Sequence, residues 1–149
     1  HSLWDKIRTM GGAYGGGAFN NSIEEVVSFY SYRDPTPNKS LDVYLEVLKE
    51  VSEKGISKED LERTIISIYG MITTPKDATG KASSSISNFI YAVPDNQSQR
   101  KIQLLVQITN DDVKAAAQRL YKKMNEERHE VLICDKSINS SGKKLDIVL

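Results

Sequence analysis

Five of the nine glycines in this 149-residue chain lie between residues 11 and 17, in the run Gly11-Gly12-Ala13-Tyr14-Gly15-Gly16-Gly17. No other segment constrains the fold as strongly. Glycine gives up the most backbone entropy on ordering, so such clusters sit where a chain turns sharply, takes positive φ or lies close against a neighbour. Residues 3–9 have the composition of a short amphipathic helix, with Leu3, Trp4 and Ile7 at helical spacing. Gly11-Gly12 is its predicted stop, which places Arg8 on the last turn. A cation and a phenol, Arg8 and Tyr14, thus bracket the glycine turn, and this is the one segment with the character of a site.

Residues 13–20 and 25–33 read as two strands, the second alternating Val27 and Phe29 with Val26, Ser28 and Tyr30, and Asn20-Asn21-Ser22 supplies the turn. Asp34-Pro35-Thr36-Pro37-Asn38 is a rigid connector, because each proline fixes its φ and biases the preceding residue away from helix. Leu41, Tyr44, Leu45, Leu48 and Val51 then form the apolar stripe of a helix that Gly55 ends. Ser57 with Asp60 predicts the cap of a second helix, buried along Leu61, Ile65, Ile68 and Ile72 and interrupted by Pro75.

The serine-rich residues 79–92 have weak helical character, and their small side chains permit close packing against a neighbour. A further helix is predicted from Pro94 through Ile108. Thr109 with Asp112 caps a last strong one, striped by Val113, Ala116, Ala117, Leu120, Tyr121 and Met124. Residues 130–134 read as a buried strand, 138–142 as a polar turn and 145–149 as a final strand. This order predicts a single α+β domain over residues 1–149, a largely antiparallel sheet with several helices packed on one face.

Charge and motif content narrow the function. Twenty basic and twenty acidic residues give a formal net charge of zero, and basic residues cluster no further than small pairs such as Lys122-Lys123 and Lys143-Lys144. Neither nucleic acid nor an anionic membrane is an expected partner. No apolar run approaches the ~20 residues that span a bilayer, and no signal-peptide pattern opens the chain. The single cysteine, Cys134, excludes an internal disulfide framework, fits a reducing compartment, and sits in an apolar run where a thiol is an inert small hydrophobe.

His1 and His129 lack a second histidine at ligand spacing, so no metal site is expected in this chain. Gly80-Lys81 lacks the glycine a phosphate loop needs five positions earlier, where Pro75 stands, and Ser83-Ser84-Ser85 has no nearby histidine to activate a nucleophile. For Arg8 and Tyr14, the residues alone allow an ordinary alternative, an exposed helix-end arginine and a tyrosine buried in the sheet.

Leu3-Trp4-Asp5-Lys6-Ile7-Arg8 followed by Gly11-Gly12-Ala13-Tyr14-Gly15 closely resembles a segment in the C-terminal half of presequence proteases, a branch of the pitrilysin/insulinase family of zinc peptidases. Phe29-Tyr30-Ser31-Tyr32-Arg33-Asp34-Pro35 resembles that branch's strand end and turn, and the later helices are similar more loosely. The resemblance implies a zinc metalloendopeptidase that degrades short unstructured peptides, in which two homologous halves close around the substrate. The zinc of such an enzyme sits in the N-terminal half on an H-x-x-E-H motif, which this chain lacks. The resemblance makes the chain a C-terminal fragment of a peptidase half-domain, inactive alone, with zinc bound outside it.

By motif, Arg8 and Tyr14 correspond to the family's catalytic Arg and Tyr, and Gly11, Gly12 and Ala13 become substrate-binding positions. The implied partners are the peptide and the N-terminal half of the same protein, and the implied location is intracellular, cytoplasmic or organellar. The family's C-terminal half begins well before Leu3, so part of its first sheet layer is missing and self-association of the fragment is expected. Gly15-Gly16-Gly17 is also richer in glycine than the family's pattern. The alternative is a non-catalytic module that keeps the fold and binds a peptide or a subunit.

Overall fold

The computed structural model describes residues 2–21 and 23–133. It begins with one α-helical turn, α1 (Ser2–Trp4), that runs without a break into a π-helical segment, Asp5–Met10. The predicted stop holds. Gly11 caps the segment, the amides of Gly11 and Gly12 both donate to the Arg8 carbonyl, and Gly12 takes a left-handed φ of 79° that lets the chain reverse. The Ala13 amide donates back to the Ile7 carbonyl at 3.2 Å.

Strands β1 (Gly15–Asn21) and β2 (Val26–Tyr32) form an antiparallel hairpin in which Gly15 faces Tyr32, Ala18 faces Phe29 and Asn21 faces Val26. Its turn falls slightly later than predicted. Asn21 Oδ1 accepts from the amides of Ile23 and Glu24, at 3.0 and 3.3 Å, and Glu25 takes a positive φ of 55° before β2 begins.

The proline connector leads into α2 (Pro37–Lys54), followed by α3 (Lys58–Thr73), α4 (Ala78–Ile90), α5 (Gln97–Leu105) and α6 (Asn110–Glu126). Side-chain caps define three of these starts. Ser57 Oγ accepts from the Asp60 amide, Asp77 Oδ1 from the Gly80 amide, and Thr109 and Asp112 exchange a complete capping box. Of the predicted α2 stripe, Tyr44 and Leu48 are buried and Leu41, Leu45 and Val51 are half-covered, while Val47, outside it, is buried as well. Along α6 only Ala117 is buried, whereas Val113, Leu120, Tyr121 and Met124 are half-covered and Ala116 is exposed.

Two packed regions hold these elements. Ile7, Ala13 and Tyr44 form a buried cluster, with Leu3, Phe29, Leu41 and Val43 around it, and this joins the π segment, the hairpin and α2. Phe29 stacks on Tyr44 with ring centroids 5.3 Å apart, a contact worth about 0.5–1.5 kcal/mol beyond burial. Farther along, α6 packs on α2 and α5 on α3. Gln118 Nε2 donates to the Ser52 carbonyl, and Asn110 Oδ1 accepts from the Ile56 amide at 2.9 Å, pinning α6 to the link between α2 and α3.

The structure overturns the predicted sheet-dominated α+β architecture. The described residues are mostly helix, in six α-helices, with one two-stranded sheet, and the helices do not gather on a sheet face. Only α2 among the long helices packs substantially on the hairpin, and the others pack on each other. The reason is that a strand needs a pairing partner, and an apolar run without an adjoining hairpin partner does not supply one. The predicted buried strand at 130–134 has none in the described part. Residues 128–133 form no regular element, with Val131 84% and Ile133 95% exposed, and Cys134 and the calls at 138–142 and 145–149 lie outside the described residues.

The predicted burial of α3 also fails. Leu61, Ile65 and Ile72 are half-covered, Ile68 is exposed, and neither α3 nor α4 contains a buried residue.

Candidate functional site

The π segment sets where Arg8 points. Ile7 is buried in the core and anchors the inner side of the segment, while Lys6 reaches back to α2, donating to Glu46 Oε1 at 2.8 Å and Glu50 Oε2 at 3.3 Å. The hydrogen bond to Glu46 raises the Lys6 ammonium above its ordinary value, against desolvation and with help from Glu50. With Ile7 and Lys6 fixed toward the body, Arg8 is left on the outer side, where its guanidinium lies 4.8 Å over the Trp4 ring. This is a cation–π contact between residues four apart.

The glycine turn then brings Tyr14 alongside. Tyr14 precedes β1, and its amide donates to the Arg33 carbonyl at 3.3 Å, extending the hairpin by one bond. Its ring is 65% exposed and meets Tyr32 edge-on, centroids 6.0 Å apart and planes at 79°. The tyrosine is therefore a surface group and not a buried sheet residue.

Arg8 and Tyr14 line one open cleft of about 450 Å³ together with Trp4, Gly15, Gly16, Tyr30 and Tyr32. Two bare glycines form part of its wall. A β-carbon on Gly16 would stand 2.9 Å from Ile7 Cγ2 and 3.1 Å from the Tyr30 carbonyl, so glycine is what allows the strand to lie against the π segment. Chemically, the cleft offers a guanidinium, phenols and aromatic faces to an extended chain with carbonyl oxygens.

The other predicted site residues lie apart from this cleft. Gly11 and Gly12 form the helix stop, with their amides already bonded to Arg8, and Ala13 is buried with Ile7 and Tyr44 at 3% exposure. Sequence reasoning missed Trp4 and Tyr32 as site residues, although Trp4 is four residues before Arg8 and Tyr32 ends the predicted strand. Among the described residues no group of three or more His, Cys, Asp or Glu side chains is placed to hold a metal ion, and no helix is long and apolar enough to cross a membrane.

Beneath the hairpin, a polar network fixes the exit from β2. Asp34 accepts from the Thr36 amide at 2.8 Å and the Ser40 hydroxyl at 2.5 Å, and Ser31 bonds both the Asp34 carboxylate and the Tyr44 phenol. Burial pushes the Asp34 carboxyl up, but these hydrogen bonds together outweigh it and hold the group below the usual carboxylate range. Burial raises the Tyr44 phenol.

Comparison with known families accounts for nearly the whole chain. The profile described as "PreP C-terminal domain" matches residues 1–136. A mitochondrial presequence protease of Gibberella zeae is 33% identical over 117 residues, covering 78% of this chain and 11% of the relative. Presequence protease 1, chloroplastic/mitochondrial, of Arabidopsis thaliana is 34% identical over 116 residues, with 78% and 11% covered. The mitochondrial presequence protease of Saccharomyces cerevisiae is 31% identical over 120 residues, with 78% and 12% covered. The chain thus spans about a ninth of the length of the curated relatives it matches.

Proposed function

The chain belongs to the PreP C-terminal domain family, and from that membership we propose that it is the C-terminal, non-zinc-binding part of a zinc metalloendopeptidase acting on short unstructured peptides. Arg8 and Tyr14 face the substrate in this reading. The observation that carries it is their convergence on one cleft beside the glycine edge of β1. Attack on a peptide carbonyl creates an oxyanion, and a guanidinium or phenolic hydroxyl aimed at it stabilises the transition state more than the substrate. Gly15 and Gly16 let a peptide backbone approach without side chains intervening. Gly11, Gly12 and Ala13 serve the substrate by shaping the turn that carries Tyr14.

The zinc and its H-x-x-E-H motif are assigned to the N-terminal half of the parent protein. Large apolar side chains left open on α3, α4 and α5, including Met71, Phe89, Ile90 and Leu104, support extensive packing against the rest of that parent. The relatives carry mitochondrial or chloroplastic names, so the parent is proposed to be organellar. A non-catalytic peptide- or subunit-binding module is the second reading. Its support is the resting contact of Arg8 on Trp4, which a purely binding surface also uses.

Steady-state kinetics of the parent enzyme on a fluorogenic peptide tests the proposal. Tyr14→Phe is expected to lower kcat by the equivalent of about 2–4 kcal/mol while leaving KM nearly unchanged, because the lost hydroxyl acts on developing charge. An unchanged kcat would return Tyr14 to the role of a surface aromatic.

A further inference from the structure

Tyr14 has little of its own to hold its ring in place. It lies outside β1, its ring is largely exposed, and Gly12 and Gly15 near it have no side chains to wall it in. A phenol used on a transition state must nonetheless be held in position before the reaction.

We infer that Arg33 is the positioning residue for the Tyr14 ring. Its guanidinium carbon stands 5.6 Å from the Tyr14 ring centroid and 5.4 Å from that of Tyr32, so one planar cation touches both members of the edge-to-face pair. The backbone joins the same two residues, through the Tyr14 amide on the Arg33 carbonyl. Arg33 also holds a φ of 48°, a left-handed conformation uncommon for a residue with a side chain. That conformation follows directly on the end of β2 and is where a glycine would be the ordinary choice. An arginine there is explained by what its side chain does. Guanidinium suits the task, being flat, always charged and weakly hydrated, so it stacks on rings without demanding a carboxylate.

The consequence for turnover rests on the reading of Tyr14 given above, whereas the placement of the ring can be measured separately. The test uses the parent enzyme with a fluorotyrosine at position 14, observed by fluorine NMR, and the variants Arg33→Gly and Arg33→Lys. Glycine accommodates the left-handed backbone, so Arg33→Gly removes the guanidinium without adding strain. The fluorine resonance is expected to move and broaden in Arg33→Gly and to move less in Arg33→Lys, which keeps the charge but not the planar stack. In the unlabelled enzyme, Arg33→Gly should lower kcat about tenfold with KM within about twofold, and should cost nothing further in a Tyr14→Phe background.

An unmoved resonance in Arg33→Gly, at an unchanged melting temperature, overturns the inference, as does an equal loss of kcat with Tyr14 already replaced. If the resonance moves while Tyr14→Phe leaves kcat intact, Arg33 does position the ring and it is the oxyanion role of Tyr14 that fails.

Discussion

Gly16 of β1 lies against Ile7 of the π segment so closely that one added carbon has no room between them. Ile7 is 1% exposed and Tyr30's carbonyl closes the other side, so neither neighbour yields easily. This contact holds the strand bearing the glycine wall against the helix bearing Arg8.

Gly16→Ala should therefore destabilise the protein by about 1–3 kcal/mol, the usual cost of overpacking. Gly15→Ala, where a β-carbon meets nothing within 4 Å, should cost much less. Thermal unfolding of the two variants side by side checks the difference, and equal melting points would mean the strand simply shifts outward.

Expressed alone, the 149-residue chain is expected to show no peptidase activity and no stoichiometric zinc. His129 belongs to no group of ligating side chains among the described residues. Elemental analysis and a peptide-cleavage assay are sufficient, and one tightly bound zinc with chelator-sensitive cleavage would contradict the half-site assignment.

Acid should loosen the junction between β2 and α2. Asp34 titrates below its ordinary value when folded, so its contribution is fully present above the usual carboxylate range and is lost as pH falls through the lowered folded value. Asp34→Asn should cost about 1–2 kcal/mol at neutral pH, from the weakened bonds to Thr36 and Ser40. The gap between the unfolding curves of wild type and variant should begin to close below about pH 4 and vanish once the pH lies below the lowered folded value. A gap that persists unchanged in acid would assign the loss to packing.

The hairpin predicts self-association. Among the described residues its sheet has two strands, and Phe19, Val26, Val27 and Tyr30 are exposed on it. Unpaired edges recruit further strands. Light scattering across a concentration series should reveal oligomers of the isolated chain, and a strict monomer at high concentration would overturn the edge-pairing expectation.

What could be read from the sequence was local. The Thr109-Asp112 capping box, the Ser57 cap, the proline connector and the stripe of α2 are short-range devices, and each appears where the residues place it. The glycine stop and the placing of Arg8 on the last turn belong to the same class. Pairing was legible for the hairpin, whose strands adjoin in sequence, but not beyond it. The apolar run of Val131, Leu132 and Ile133 has a strand's composition, but composition does not supply a partner. Burial failed for the same reason on α3, where a helical stripe is genuine yet nothing in the described chain covers it fully. In the site, Arg8 and Tyr14 stood out through the glycines between them. Arg33 did not, because Tyr32-Arg33-Asp34-Pro35 reads simply as a strand end and turn, and its contact with Tyr14 spans nineteen positions of sequence.

The π segment turns chain length into direction. A π turn holds one residue more than the α turn it replaces, and each helical residue turns a side chain by about 100°. Losing Lys6 alone would let an ordinary α-helix form with Trp4, Ile7 and Arg8 all still present. Either Ile7 would then keep its place in the core or Arg8 would keep its place over the cleft, but not in the present relation to Trp4. Spacing here thus carries information that residue identity does not. A relative could retain the arginine, the tyrosine and every glycine, differ by a single deletion ahead of Arg8, and no longer present the two groups to the same peptide.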